Sequence, residues 1–297
     1  MANEAEAQAP GASPEGAPAP AEKSSFVKNT LSRLATAAVG IPILLYLMFL
    51  APKPAFAVVV VLAIARAAHE LMRMTVDHRA LQWLGVASTS ALAATLIFAR
   101  SLPLVMTAVL VVPAVGALAA LSAPEPSEAA GRRLAWLVAG PLYAGGLLSS
   151  VGALHLGVLG PTEAGGQWVL LAMWLAWGSD TAGYFAGRFF GKHPLAPRVS
   201  PKKTVEGSIG GLLGSLTGGL AAHFWFLPSL PLTHAVVLSL VAGALGQAGD
   251  LVESLIKRST HTKDSGAILP GHGGMLDRID ALMMTATTCV LYQLWAG

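Results

Sequence analysis

The chain has 297 residues, of which 54% are hydrophobic and 12% charged, and its mean hydropathy is +0.61. This composition leaves too little polar surface to cover a globule in water, and it predicts an all-α, polytopic integral membrane protein. The net charge of +3 is modest, and the single cysteine, Cys289, excludes an intramolecular disulfide and a cysteine-rich metal site.

Residues 1–24 form the first segment and are rich in Ala, Pro, Glu and Gly. They contain nothing apolar enough to pack, so we predict a disordered tail. The acidic start, with no apolar core directly after it, argues against a secretory signal peptide. We divide the remainder into N-terminal transmembrane helices over 25–165 and a C-terminal transmembrane region over 166–297, which carries two polar, motif-bearing loops.

Nine apolar runs follow the tail, each near the roughly 20 residues that a bilayer-spanning helix needs. We predict spans at about Leu34–Leu50, Ala55–Met72, Leu81–Ala99, Leu102–Leu121, Leu134–Val158, Trp168–Phe185, Ser208–Leu227, Leu232–Gly249 and Leu276–Trp295. No internal repeat is evident, which argues against a transporter built from inverted repeats.

The distribution of Lys and Arg predicts the orientation. With the N-terminus in the cytoplasm and nine alternating spans, 16 of the 19 Lys and Arg residues fall on the cytoplasmic side. Only Lys53 and Arg100 fall on the opposite side, and Arg66 lies within a span. The positive-inside rule therefore favours a cytoplasmic N-terminus and places both polar loops on the cytoplasmic face.

The first polar loop runs from residue 177 to 207. Asp180 stands near the end of an apolar span, where an ionisable group is costly and by default functional. Ser200 before Pro201 predicts a helix N-cap, and the free backbone N–H groups of that helix start would suit a phosphate. Lys202 and Lys203 follow directly; anchoring to anionic lipid is the alternative for such a pair, but the flanking motif favours phosphate binding.

The second polar loop, residues 250–280, holds four of the six aspartates of the chain, together with basic residues and two histidines. Asp277 and Asp280 are three apart, so on a helix they share one face. The two glycines before them, Gly273 and Gly274, permit a tight turn. Clustered carboxylates beside fixed cations are what a divalent metal bridging phosphate oxygens requires. The pattern predicts a phosphate-handling site at a membrane surface.

The eighth predicted span ends at the start of this loop. If its helix continues past the membrane, Asp250 and Lys257 lie on one face of it. Interfacial salt bridges are one explanation; a metal shared with Asp277 is the other, and we favour it because a carboxylate behind an apolar run needs a close partner. The sequence leaves open whether His272 contacts a phosphate or holds the turn. His69-Glu70, at the end of the second span, lacks metal-ligand spacing, and we expect a structural or interfacial role there.

Residues 254–280, S-L-I-K-R-S-T-H-T-K-D-S-G-A-I-L-P-G-H-G-G-M-L-D-R-I-D, resemble the signature of bacterial phosphatidate cytidylyltransferases, also called CDP-diacylglycerol synthases. That signature spaces S-x-x-K-R, K-D and H-G-G-x-x-D-R-x-D, and each part is present in register. The first loop is similar to the family as well, through S-D-T-A-G-Y-F-A-G-R-F-F-G-K and S-P-K-K-T-V-E-G. The resemblance covers roughly the last 120 residues, whereas the first 165 resemble the family only as generic apolar spans.

The resemblance implies that 166–297 is a catalytic region, which transfers the cytidylyl group of CTP to phosphatidate and releases pyrophosphate in phospholipid biosynthesis. It also implies Mg²⁺, with K⁺ as an optional second ion, a homodimer, and a site facing the cytoplasm from the cytoplasmic (inner) membrane. Carried over by motif, the metal ligands are Asp250, Asp277 and Asp280, and the further catalytic residues are Lys257, Arg258, Lys263 and Asp264. The substrate-binding residues are Ser200, Lys202, Lys203, Thr204, Glu206, His272, Arg278 and Asp180.

Other functions stay open at this point. A CTP-dependent lipid kinase acting on a polyprenol or phytol, or a cytidylyltransferase for ether-linked archaeal lipid, would need a similar site. An ion-coupled transporter would place its carboxylates at mid-membrane depth, whereas the acidic residues here lie at span ends and in loops. The sequence contains no Walker-type phosphate loop, no HExxH zinc motif and no nucleic-acid-binding module, so we expect no nucleic-acid partner.

Overall fold

The computed structural model describes residues 38–123, 127–158, 160, 162–266 and 273–296. Helices dominate these residues, which confirms the all-α class. They are α1 (Ala38–Phe49), α2 (Lys53–Thr75), α3 (Arg79–Phe98), α4 (Leu102–Ala120), α5 (Ser127–Gly140), α6 (Leu148–Leu156), α7 (Gly165–Phe190), α8 (Val205–Ala221), α9 (Leu232–Ser259) and α10 (Leu276–Trp295). The predictions for the tail at 1–24 and for His272 lie outside the described residues.

Five helical stretches of the described chain are long and apolar enough to cross a membrane, so the chain is an integral membrane protein. They are Lys53–Thr75, Arg79–Phe98, Leu102–Ala120, Ala129–Leu156 and Leu232–Ser259. The other predicted spans coincide with helices, but α1 and α8 are short, and α7 and α10 carry charged residues of the polar loops. The count of nine spans and the side of the N-terminus stay predictions.

The fifth predicted span is one continuous helix whose middle segment is not α-helical. A π-helical segment, Pro141–Leu147, joins α5 to α6. Proline has no backbone N–H to donate to the residue four positions earlier, and its ring crowds that carbonyl, which is consistent with the local change of helix type at Pro141. A second π-helical segment, Ala222–Phe226, ends α8, and a 3₁₀ turn, Thr162–Ala164, precedes α7.

A small hairpin interrupts the helices between α7 and α8. Strands β1 (Pro194–Ala196) and β2 (Ser200–Thr204) are antiparallel, with Pro194 opposite Thr204. The prediction of a helix N-cap at Ser200 is therefore wrong. The N-cap is Thr204, whose hydroxyl accepts a hydrogen bond from Gly207 N at 3.1 Å, and the helix begins four residues later because Ser200–Thr204 pairs as a strand first.

Helix α9 extends unbroken through Ser259, so the condition under which Asp250 and Lys257 share one helix face is met. It packs against α8 and α10, and α10 also packs against α6 and α7. Buried apolar side chains such as Leu276 and Met283 of α10 share one hydrophobic core with Leu171 and Leu175 of α7. This packing brings the first turn of α10 beside the last turns of α9.

Candidate active site

Three carboxylates meet where α9 and α10 pack together: Asp250, Glu253 and Asp280. One oxygen from each lies within 4.8 Å of the other two. Glu253 and Asp280 are buried, and Asp250 is half-buried. Glu253 Oε1 has no hydrogen-bond partner, although it is shielded from solvent. Three close carboxylates, two of them buried, need positive charge to offset their repulsion, and an all-oxygen donor set of this kind fits Mg²⁺.

Asp277 lies in the same first turn of α10 but has a different set of partners. Its Oδ1 forms an ion pair with Lys257 Nζ at 2.7 Å. Its Oδ2 accepts hydrogen bonds from Gly274 N at 2.8 Å, Ser265 Oγ at 2.9 Å and Ser265 N at 3.0 Å. The carboxylate therefore holds the loop before α10 in place. Its assignment as a metal ligand stays a prediction, whereas the geometry places Glu253 in the carboxylate cluster.

Lys257 connects the two helices. Its ammonium lies 2.7 Å from Glu253 Oε2 and 2.7 Å from Asp277 Oδ1, and its side chain is 14% exposed. Glu253 and Lys257 are four residues apart on α9, the spacing that favours an ion pair on one helix face. Lys257 therefore fixes the separation between α9 and the first turn of α10, and it offsets part of the negative charge of the cluster.

A cavity of about 520 Å³ opens beside the carboxylate cluster, between α7, α8, α9 and the hairpin. Its lining includes Asp180, Lys202, Lys203, Thr204 and Asp250. Lys203 Nζ lies 2.5 Å from Asp250 Oδ2, so Lys203 forms an ion pair directly with the carboxylate cluster. The start of α8 also faces this cavity, because Thr204 and Gly207 line it. Basic side chains and a helix N-terminus at one wall suit a phosphate-bearing ligand.

Glu206, in the first turn of α8, holds the segment before β1. Its Oε2 accepts hydrogen bonds from Lys192 N at 3.1 Å and His193 N at 3.3 Å, and its Oε1 accepts one from His193 Nδ1 at 2.6 Å. The side-chain hydrogen bond from His193, with the backbone donors, lowers the pKa of Glu206 to about 2. Glu206 thus helps to shape the hairpin wall of the cavity.

The other predicted site residues lie around this centre and are more exposed. Arg258 reaches the hairpin, where its Nε donates to Val199 O at 3.4 Å. Arg278, Lys263 and Asp264 are exposed, and Ser200 is half-buried in β2. The two loops that the sequence singles out therefore do meet in space, along the Lys203–Asp250 and Arg258–Val199 contacts.

Two acidic residues were not assigned to this site from the sequence: Glu253, which was missed, and Glu70, for which only a structural or interfacial role was expected. The signal for Glu253 was present, since it lies three residues after Asp250 and four before Lys257 on one helix. Glu70 is on α2, about 200 positions from the loop that it contacts, and a lone Glu at the end of an apolar run gives no such signal.

Comparisons with known proteins cover most of the chain. Residues 31–295 match the model of the Cytidylyltransferase family. The chain is 35% identical over 165 residues to the phosphatidate cytidylyltransferase of Brucella suis, across 53% of this chain and 56% of that protein. It is 45% identical over 117 residues to the phosphatidate cytidylyltransferase of Staphylococcus saprophyticus, across 39% of this chain and 45% of that protein. The chain thus spans about half the length of the curated relatives it matches.

Proposed function

Because the chain belongs to the cytidylyltransferase family, we propose that it transfers the cytidylyl group of CTP to phosphatidate, giving CDP-diacylglycerol and pyrophosphate. The observation that carries this proposal is the buried carboxylate cluster of Asp250, Glu253 and Asp280 beside a cavity with basic side chains, at the end of apolar helices. A water-soluble nucleotide and a membrane lipid can both reach such a position.

In this reaction a phosphatidate oxygen attacks the α-phosphorus of CTP, and the bond to pyrophosphate breaks. The attacking oxygen is already anionic, so no strong general base is needed. The main tasks are to align the two substrates and to offset their negative charges. Asp250, Glu253 and Asp280 would hold Mg²⁺, which supplies charge neutralisation at the phosphate oxygens when bound.

The lysine pair and the start of α8 would bind the phosphates of CTP. Lys202, Lys203 and Thr204 line the cavity, and the N-terminal N–H groups of α8 add donors of fixed geometry. Lys203 has a second task, because its ion pair with Asp250 joins the phosphate-binding wall to the carboxylate cluster. Arg258, Lys263 and Arg278 are exposed around this centre and would attract the phosphates of both substrates.

Three further properties belong to the same proposal. The protein would lie in the cytoplasmic (inner) membrane with the site facing the cytoplasm, where CTP is present; the 16 basic residues assigned to that side support this orientation. It would function as a homodimer. K⁺ would act as a second ion. Replacing potassium by sodium in the assay buffer tests this.

The deciding experiment is pyrophosphate release by purified protein in detergent, given CTP, Mg²⁺ and phosphatidate, with each omitted in turn. Release that requires all three, with CDP-diacylglycerol recovered by lipid extraction, would support the proposal. Formation of CDP and a phosphorylated lipid from a polyprenol would instead identify a lipid kinase. No turnover with phosphatidate, next to an active control enzyme, would refute the proposed reaction.

A further inference from the structure

Glu70 is a buried carboxylate in the last two turns of α2, far from the motif loops in sequence. Its side chain is 1% exposed. It accepts hydrogen bonds from Leu276 N at 2.8 Å and from Met275 N at 3.0 Å, and it forms an ion pair with Arg66 at 3.0 Å. A buried charge with this many donors is fixed in position, and two of those donors are the first backbone amides of α10.

The start of α10 depends on this carboxylate. Met275, the N-cap residue of α10, forms no side-chain cap hydrogen bond of its own. Free N–H groups at a helix start need an acceptor, and a negative charge there is favoured by the helix dipole. Glu70 provides both from a different helix, so it determines where α10 begins relative to α2.

Glu70 is also connected to the carboxylates of the site. Ser265 Oγ lies 3.0 Å from Glu70 Oε2 and 2.9 Å from Asp277 Oδ2. A hydroxyl has a single proton to donate, so the two carboxylates share this one group. Asp277 in turn binds Lys257, which binds Glu253. A continuous line of polar contacts therefore runs from α2 to the carboxylate cluster.

The loop before α10 is shaped around the Glu70 side chain. A Cβ atom added at Gly266 would lie 2.6 Å from Glu70 Oε1, and one added at Gly274 would collide with Glu70 Oε2 and Ser265 Oγ. Both positions thus require glycine for the carboxylate to approach the backbone. This close fit indicates that the sequence of the loop is adapted to the Glu70 carboxylate.

We infer that Glu70 is a positioning residue of the active site: it fixes the start of α10 so that Asp280 meets Asp250 and Glu253 at the distance a divalent cation needs. A role of Glu70 in catalysis rests on the proposed function. Its effect on metal affinity is independent of that function, since it follows from the geometry of the three carboxylates alone. The N-terminal helices are then part of the active-site machinery as well as a membrane anchor.

The test is Glu70→Gln in the full-length protein, with Mn²⁺ as the probe ion. Gln keeps the size of the side chain, but its NH₂ group cannot accept a hydrogen bond, so one amide at the start of α10 loses its partner. We expect Mn²⁺ affinity, measured by electron paramagnetic resonance titration, to fall about tenfold or more, as for other groups that orient metal ligands. Glu163→Gln, which changes an exposed acidic residue in the 3₁₀ turn before α7, is the matched control and should bind Mn²⁺ as the wild type does.

A merely structural role would give a different result. Glu70→Gln would then unfold at a lower temperature, while the folded fraction would bind Mn²⁺ with wild-type affinity, and that outcome would overturn the inference. If Glu70→Gln yields no folded protein, Glu70→Asp decides instead, because it keeps the negative charge but is one methylene shorter, so its carboxylate withdraws from the Met275 and Leu276 amides. Unchanged Mn²⁺ affinity in this variant would also overturn the inference. Wild-type protein that binds Mn²⁺ but makes no CDP-diacylglycerol would refute only the proposed reaction. Wild-type protein that binds no Mn²⁺ would overturn the metal centre and this inference together.

Discussion

Glu253→Gln removes one negative charge from the carboxylate cluster with almost no change in side-chain size. At an effective dielectric constant of 20, two unit charges at 4.8 Å, the largest oxygen–oxygen separation in the cluster, repel by about 3.5 kcal/mol. Loss of the two repulsions with Asp250 and Asp280 at that separation stabilises the metal-free fold by about 7 kcal/mol. The same calculation for the 2.7 Å ion pair with Lys257 gives about 6 kcal/mol of attraction that the variant loses. These terms nearly cancel, so we expect the free energy of unfolding without divalent metal to change little.

With Mg²⁺ present the two proteins should differ. A ligand that binds only the folded state stabilises it by about 2.7 kcal/mol at 100 times its Kd. If loss of the Glu253 carboxylate weakens Mg²⁺ binding about 100-fold, the gain at the same Mg²⁺ concentration falls to about 0.4 kcal/mol. The variant should therefore match the wild type in EDTA and unfold at a lower temperature in Mg²⁺.

Thermal unfolding with a thiol-reactive fluorescent dye suits this comparison, because Cys289 is the single cysteine and is fully buried in α10. The dye then reports exposure of the helix that carries Asp280. Glu163→Gln serves as the charge-matched control and should show the full Mg²⁺ effect. Equal Mg²⁺-dependent stabilisation of Glu253→Gln and wild type would refute the assignment of Glu253 as a metal ligand.

Three more outcomes are expected. Asp277→Asn should abolish CTP-dependent product formation while the protein stays folded in detergent, because the neutral amide keeps only one acceptor oxygen and so loses either the Lys257 contact or the contacts to the loop before α10. Near-normal product formation would contradict this. Thr204→Val removes the N-cap acceptor for Gly207 N, so it should lower the free energy of unfolding by about 1 kcal/mol and raise KM for CTP. An unchanged KM would exclude the start of α8 from nucleotide binding. The hydrogen bond from Arg133 lowers the pKa of Asp77 below its ordinary 3.8, so the pair stabilises the fold fully above pH 3.8 and this stabilisation disappears as the pH falls through the lower folded-state pKa. In Asp77→Asn the unfolding temperature, followed by tryptophan fluorescence, should therefore fall less steeply at acidic pH than in the wild type.

Periodicity and spacing predict the parts of this site that lie on single helices. The continuation of α9 to Ser259 follows from residues at helical spacing after an apolar run, and the same spacing contains Glu253, which we overlooked. The N-cap at Thr204 was misplaced because Ser-Pro is a common start signal, and the pairing of Ser200–Thr204 with β1 overrides it. Local sequence carries no information about that strand pairing.

The contribution of α2 could not be predicted in this way. Glu70 contacts Met275 and Leu276 only because packing brings α2 beside α10, and its own surroundings in the sequence resemble an ordinary helix end. The change of helix type at Pro141 could not be predicted from the proline alone, since Pro113 lies inside α4 without such a change. The orientation in the membrane and the number of spans depend on a bilayer and stay predictions.

Helix α9 is 28 residues long, so it measures roughly 42 Å at 1.5 Å per residue, against a hydrocarbon layer of about 30 Å. If α9 starts at one edge of the hydrocarbon, Asp250, which lies 18 residues later or roughly 27 Å along the axis, falls about 3 Å short of the opposite edge. A bilayer only a few ångströms thicker would place this carboxylate deeper in the hydrocarbon, where a charge is more costly. If the carboxylate cluster binds a divalent metal as proposed, its affinity should therefore vary with the acyl-chain length of the surrounding lipid, even for lipids that never enter the site.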